Sequence, residues 1–157
     1  MSAFSWPARV YWEDTDGGGI VYYANYLRFL ERARTEWLRS LGYSQHSLAR
    51  DPGIVFAVVS LTVDYRKPAR LDDELVITCE PSAEGAVTLR FSQQIFRKET
   101  HASGSANAGG DARRACGDTR RAGLLVEADV RVACVDATTL RPKRLPDFLV
   151  AGASVNG

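Results

Sequence analysis

Two aspartates and three glycines stand together in Asp14-Thr15-Asp16-Gly17-Gly18-Gly19, followed at once by Ile20-Val21-Tyr22-Tyr23 and then by Asn25. A carboxylate is ionised at neutral pH unless buried, so it can attack an electrophile or take a proton from water. Glycines let the backbone approach a substrate closely. A helix starting near Asn25 would add unpaired N–H groups and a partial positive potential. Such donors can stabilise the oxyanion that develops when a carbonyl is attacked. Acyl transfer to water is therefore chemically reasonable here. An Asx-type turn before a helix fits the same spacing, and spacing alone leaves both readings open.

Other chemistries fit less well. Counted as a calcium loop from Asp14, position five is Gly18 and position twelve is Asn25, so the bidentate glutamate is missing. The glycines lack the Lys-Ser/Thr of a phosphate-binding loop and the spacing of a dinucleotide fingerprint. No Gly-x-Ser-x-Gly occurs. The only histidines, His46 and His101, are far apart and in no ligand pattern, so no metal site is expected and both belong on the surface.

The elements that must position the motif are legible. Tyr26, Leu30, Ala33, Trp37 and Leu41 recur at spacings of three and four, which predicts an amphipathic helix from Tyr26 to Leu41, with Asn25 as N-cap and Gly42 just past the end. Five strand patterns accompany it. "ARVYWED" precedes the helix. After it, "VFAVVSLTVDYRK" puts Val55, Ala57, Val59, Leu61, Val63 and Tyr65 on one face. "ELVITCE" does so with Leu75, Ile77 and Cys79, "AVTLRFSQQIF" with Val87, Leu89 and Phe91, and "LLVEADVRVACVD" with Val126, Ala128, Val130, Val132 and Cys134. Short turns such as Ala83–Gly85 join consecutive strands, so the expected class is α+β with a mainly antiparallel sheet.

Composition narrows the setting. At 157 residues the chain is expected to form a single domain over 1–157. A net charge of +1, with no long block of like charge, argues against general nucleic-acid or membrane attraction. No apolar run is long enough to span a membrane, and the N-terminus lacks a signal-peptide core. Cys79, Cys116 and Cys134 form no C-x-x-C pair, which points to a reducing cytoplasm, with Cys79 and Cys134 as small apolar residues within strands. From about 98 to 123 the chain is rich in Ala, Gly and polar residues and reads as a flexible excursion. Its Arg113, Arg114, Arg120 and Arg121 suit phosphates, an acidic carrier protein or plain solvent.

The stretch "VYWEDTDGGGIVYYANYLRFLERARTEWLRSLG", with the later "TVDYRKPARLDDEL" and "CVDATTLRPKRLP", closely resembles the 4-hydroxybenzoyl-CoA thioesterase-like family, and within it the Tol-Pal system-associated acyl-CoA thioesterases. The resemblance covers nearly the whole chain apart from the excursion. It implies the hotdog fold, one long central helix wrapped by a curved five-stranded antiparallel sheet. It also implies hydrolysis of acyl-CoA to free acid and CoA, with no cofactor beyond the CoA of the substrate.

By position, the resemblance makes Asp16 the catalytic carboxylate, as nucleophile or general base, and Tyr23 the residue whose backbone N–H polarises the thioester carbonyl. Asp14 then supports the turn. Gly19, Ile20, Val21 and Tyr22 are candidates for substrate contact. Related thioesterases often carry histidine at the position of Tyr23, whereas the aromatic-substrate type carries tyrosine, which leaves the acyl preference open. Two basic clusters are candidates for the CoA phosphates: Arg66, Lys67 and Arg70, and Arg141, Lys143 and Arg144. Family members pair into dimers and often homotetramers, with the site at a subunit interface. Two rivals are a hydratase or dehydratase acting on the same thioesters, whose usual Asp/His pair is missing because neither His46 nor His101 is near the motif, and a non-catalytic module that binds acyl-CoA or acyl carrier protein in lipid synthesis.

Overall fold

The computed structural model describes residues 3–99 and 123–154. Five strands form one antiparallel sheet: β1 (Phe4–Arg9), β2 (Ile54–Tyr65), β3 (Glu74–Glu84), β4 (Thr88–Arg97) and β5 (Leu124–Asp136), in the order β1-β3-β4-β5-β2. Helix α1 (Asn25–Ser40) lies against one face, and two short helices, α2 (Gln45–Arg50) and α3 (Asp147–Ser154), follow α1 and β5. This is the α+β hotdog arrangement. The four Arg residues of the excursion lie outside the described residues, as does His101.

The core forms where two periodicities meet. On α1, Tyr26, Phe29, Leu30, Ala33, Trp37 and Leu38 are buried, the stripe expected of a 3.6-residue repeat. Facing it, alternate residues of β3, β4 and β5 are buried: Leu75, Ile77 and Cys79; Leu89, Phe91 and Ile95; Val126, Ala128, Val130, Val132 and Cys134. Leu30 is 1% exposed at the centre of this contact. Leu30→Ala is expected to cost about 2–5 kcal/mol through lost burial and a residual cavity, read as a shifted urea midpoint with unchanged slope. Cys79 and Cys134 are free and buried within their strands, and burial pushes the Cys79 thiol up to about 12.

Four local expectations are corrected. The segment expected as strand "ARVYWED" ends its pairing at Arg9, and Trp12–Asp14 is a 3-10 turn. That turn places the Asp14 carboxylate on the Tyr11 N–H at 2.8 Å. Asn25 is not the N-cap. Its side chain donates to the Asp14 carbonyl (2.9 Å), and Ala24 takes the cap position. The alternation expected along β2 is interrupted by a register shift between Val58 and Ser60, so Val55 and Ala57 do not share a face with Leu61, Val63 and Tyr65. Two helices, α2 and α3, were not foreseen.

β2 is also an edge strand. Its outer side pairs with no strand among the described residues, and Val58, Val59, Leu61 and Tyr65 are 44–56% exposed. A long apolar edge is a template for a further strand unless something covers it. At the other edge, β1 carries Pro7, which removes a ladder donor.

Candidate active site

The glycine motif closes into a small hairpin. Asp16 N–H donates to Ile20 C=O (2.8 Å), Gly19 N–H to Asp16 C=O (3.2 Å), and Thr15 bridges Val21 in antiparallel fashion. Gly19 has φ +77, a conformation that favours glycine. At Gly18 a Cβ would come within 3.1 Å of Asp16 Oδ1. Gly18 instead brings its N–H to that oxygen at 2.7 Å, which fixes the carboxylate by a charge-assisted hydrogen bond. Asp16 therefore stands exposed on a hairpin of defined shape.

Asp14 does different work. It is 5% exposed, and its carbonyl accepts from both Tyr22 N–H (3.0 Å) and Asn25 Nδ2 (2.9 Å). The two aspartates, equivalent in composition, are thus separated by burial. Asp14 pins the start of α1 to the hairpin, and Asp16 faces outward.

The chain enters α1 with donors to spare. Tyr22 N–H and Asn25 N–H are bonded, to Asp14 C=O and Tyr22 C=O, while the N–H groups of Tyr23 and Ala24 have no partner among the described residues. They lie at the positive end of a 16-residue helix. Nothing in the sequence pattern distinguished Ala24, whose N–H precedes the first intrahelical hydrogen bonds.

A second layer holds this terminus. Tyr65 Oη donates to Tyr23 C=O at 2.8 Å, and the Tyr65 and Tyr26 rings meet edge-on at 5.5 Å. Tyr26 Oη accepts from Ala69 N–H (3.0 Å), and Val21 N–H donates to Ala69 C=O (2.9 Å). Burial raises the pKa of both Tyr26 and Tyr65, keeping both phenols protonated. Tyr65 fixes the peptide plane whose N–H is that of Ala24. Tyr65→Phe keeps the ring and loses only the hydrogen bond. It is expected to lower kcat by roughly 2–10-fold with little change in KM, as measured by steady-state thioester hydrolysis.

The other candidates divide. Ile20 bridges Arg70, so the Arg66–Arg70 segment runs directly beside the hairpin. Within it Arg66 is bonded to Glu127 (2.8 Å), whereas Arg70 is exposed. Val21 is buried in the core, and Tyr22 and Tyr23 are exposed. The Tyr22 phenol is held protonated by a hydrogen bond with Tyr23, reinforced by that neighbour's charge. The second cluster, Arg141, Lys143 and Arg144, is not brought to Asp16 within one chain. It follows the far end of β5, where Asp136 N–H donates to Arg141 C=O and Lys143 Nζ to Pro52 C=O. Ten residues of β5 separate the Tyr65 end from the Ile54 end, roughly 33 Å at strand rise. No group of three or more metal-ligating side chains is clustered among the described residues.

An exposed carboxylate on a glycine hairpin and free amides at the head of α1 thus share one end of a hotdog fold. The chain belongs to the thioesterase superfamily, whose family model matches residues 18–103, from the middle of the glycine hairpin through α1 and on to β4. It is 41% identical to the acyl-CoA thioester hydrolase YbgC of Escherichia coli over 94% of this chain and 93% of that protein. It is 38% identical to the acyl-CoA thioesterase YbgC of Haemophilus influenzae, covering 92% and 90% respectively. Among solved structures, a probable thioesterase from Bartonella henselae superposes with TM-score 0.72 at 30% identity, over 92% of this chain and all of that one. A 1,4-dihydroxy-2-naphthoyl-CoA thioesterase from Synechocystis shares the fold with TM-score 0.78 at 21% identity, over 98% and 96%.

Proposed function

We propose that the chain hydrolyses acyl-CoA thioesters to free acid and CoA, with Asp16 and the N–H groups of Tyr23 and Ala24 as the reacting surface. The observation that carries this reading is the exposed, hydrogen-bonded Asp16 carboxylate beside unpartnered donors at the head of α1. The thioester carbonyl oxygen docks on those donors. Asp16 either adds to the carbonyl carbon or removes a proton from the water that does. In both routes the negative charge that develops on oxygen is received by the amides, and collapse of the adduct expels the CoA thiolate. On the nucleophilic route water then opens the aspartyl anhydride. Gly19, Ile20 and Tyr22 lie along the approach to the carbonyl, and Val21 supports them from the core. No metal or cofactor is needed for either route.

The same reading makes the working unit an oligomer, because one chain leaves Asp16 and Tyr23 in open solvent. Two copies joined antiparallel along β2, with a two-fold axis at the middle of the strand, would cover Val58, Val59 and Leu61. That arrangement would also set the Ile54 end of one copy against the Tyr65 end of the other. The strap 141–144 of the second copy would then come to the hairpin and join Arg70 around the CoA phosphates. Dimers pairing again would give a tetramer. We read residues 1–157 as one such domain acting in the cytoplasm, a setting that suits the free Cys79 and Cys134.

The test is thiol release from a panel of short-chain, long-chain and aromatic acyl-CoAs, with carrier-protein thioesters beside them. Turnover that saturates on any CoA thioester supports the reading and ranks the acyl groups. Binding without turnover across the panel would instead favour a non-catalytic acyl-CoA or acyl-carrier-protein module.

A further inference from the structure

A cavity of about 50 Å3 lies beneath the C-terminal half of α1, lined by Arg34, Trp37 and Leu38 from that helix, by Gln45 at the start of α2, and by Phe56, Leu89, Phe91 and Val132 from the sheet. At 1.5 Å per residue, Trp37 is roughly 20 Å along the helix from the Tyr23 amide, so this cavity is separate from the proposed reaction centre. Its walls are almost wholly apolar, with a polar side that is incompletely matched.

On that side one donor has no acceptor and one cation has no carboxylate in contact. Trp37 is 2% exposed, and its indole Nε1–H, a group that can only donate, has no acceptor among the described residues. Arg34 is half-buried, and its guanidinium donates to the neutral Gln93 Oε1 at 2.9 Å and lies 5.9 Å from the Phe91 ring. Among the described residues no carboxylate lies within ion-pair distance of it. Gln93 cannot turn to the indole, because its Nε2 is held by Leu30 C=O at 3.1 Å. Burial lowers the Arg34 pKa, and the attraction of Cys79 and of Glu31, which lies beyond ion-pair distance, only partly offsets it.

We propose that this cavity is a binding site for a small monocarboxylate, one oxygen on the Arg34 guanidinium and the other on Trp37 Nε1–H. Of the polar groups that line it, the Gln45 amide N–H is already given to Thr35 Oγ1 (3.0 Å), which leaves one cation and the indole donor for the single charge and two acceptor oxygens of a carboxylate. A doubly charged phosphate would bring a second charge that no group lining the cavity answers. The substituent on the carboxylate carbon meets Phe56, Leu89, Phe91 and Val132, so an alkyl group suits it better than a hydrogen-bonding one. The volume exceeds the roughly 10–15 Å3 that one water needs on the same measure, and it limits the ligand to a few heavy atoms. Acetate is the appropriate probe.

The indole protons report the site directly. The chain has three tryptophans, of which Trp6 and Trp12 are 38% and 80% exposed, so Trp37 gives the one buried indole N–H signal. In the 15N-labelled full chain that signal is identified by its loss in Trp37→Phe. Sodium acetate is expected to shift it downfield along a saturable curve, while the Trp6 and Trp12 signals stay put. Sodium chloride at equal ionic strength is expected not to reproduce the curve, and Arg34→Gln is expected to weaken apparent affinity at least tenfold. A Trp37 signal that does not move, drifts linearly with the other two, or follows chloride equally well would overturn the proposal. The same holds for saturation unchanged in folded Arg34→Gln. If that variant does not fold, the wild-type comparison of acetate with chloride decides alone. The readout involves no turnover, so it stands or falls independently of the thioesterase reading.

Discussion

Asp16→Asn is expected to reduce acyl-CoA hydrolysis by on the order of 10²–10⁴-fold, with the circular dichroism spectrum, melting temperature and oligomeric mass of the wild type. The substitution keeps the side-chain shape and retains an oxygen that can still accept from Gly18 N–H, so the hairpin is preserved. It removes the charge that either attacks the carbonyl or takes a proton from water. Both routes lose their reacting group together, and the effect falls on kcat rather than KM because ground-state binding by the Tyr23 and Ala24 amides is untouched. Asp14→Asn supplies the contrast. Asp14 Oδ2 accepts from Tyr11 N–H inside the fold, so its substitution is expected to lower stability first and turnover only secondarily. Wild-type rates in Asp16→Asn would mean that the hairpin is scaffold and that the chain acts by binding.

This contrast between two neighbouring aspartates shows where sequence reasoning succeeds and where it stops. The helix stripe of Tyr26, Leu30, Ala33 and Trp37 and the alternating strands through Ile77, Phe91 and Val130 were legible because each repeats a geometric period several times. A single inserted residue has no such redundancy, so the register shift at Val58/Ser60 was invisible and the face of Val55 was misplaced. The 3-10 turn at Trp12–Asp14 was hidden in the same way, since its apolar and acidic residues continue an alternating pattern.

At the site, the hairpin and its carboxylate were visible as a motif of adjacent residues. The groups that orient it come from distant positions. Tyr65 reaches Tyr23 across 42 positions of sequence, and Tyr26 reaches Ala69 across 43. Neither partner has any local signature. Asn25 carried a helix-start signal that was correct about the helix and wrong about the bond. The Asp14 carbonyl takes the Asn25 side chain, so the chain's turn into α1 is held by a tie to the hairpin rather than by a cap.

The basic strap after β5 supplies the second large expected effect, and it separates an isolated chain from a paired one. Lys143 is committed to Pro52 C=O and lies 3.7 Å from Asp136, whereas Arg141 and Arg144 are exposed. Replacing Arg141 and Arg144 together by alanine is expected to raise KM for acyl-CoA by roughly 10–100-fold with kcat nearly retained, the loss of charge-assisted contacts to phosphate. These residues sit at the opposite end of β5 from Asp16 in their own chain, so the effect has a physical route only through a second copy. Subunit mixing distinguishes the two cases. Assayed well below the wild-type KM, Asp16→Asn and Arg141→Ala/Arg144→Ala are each nearly inactive as pure oligomers. In a mixed dimer related by a two-fold axis, one site collects both defects and the other collects neither. Unfolding and refolding equal amounts together should therefore restore roughly a quarter of wild-type turnover. An unchanged KM in the double variant would remove the strap from the CoA site. A raised KM without recovery on mixing would place both defects in one chain's site, and the β2-paired arrangement would have to be abandoned.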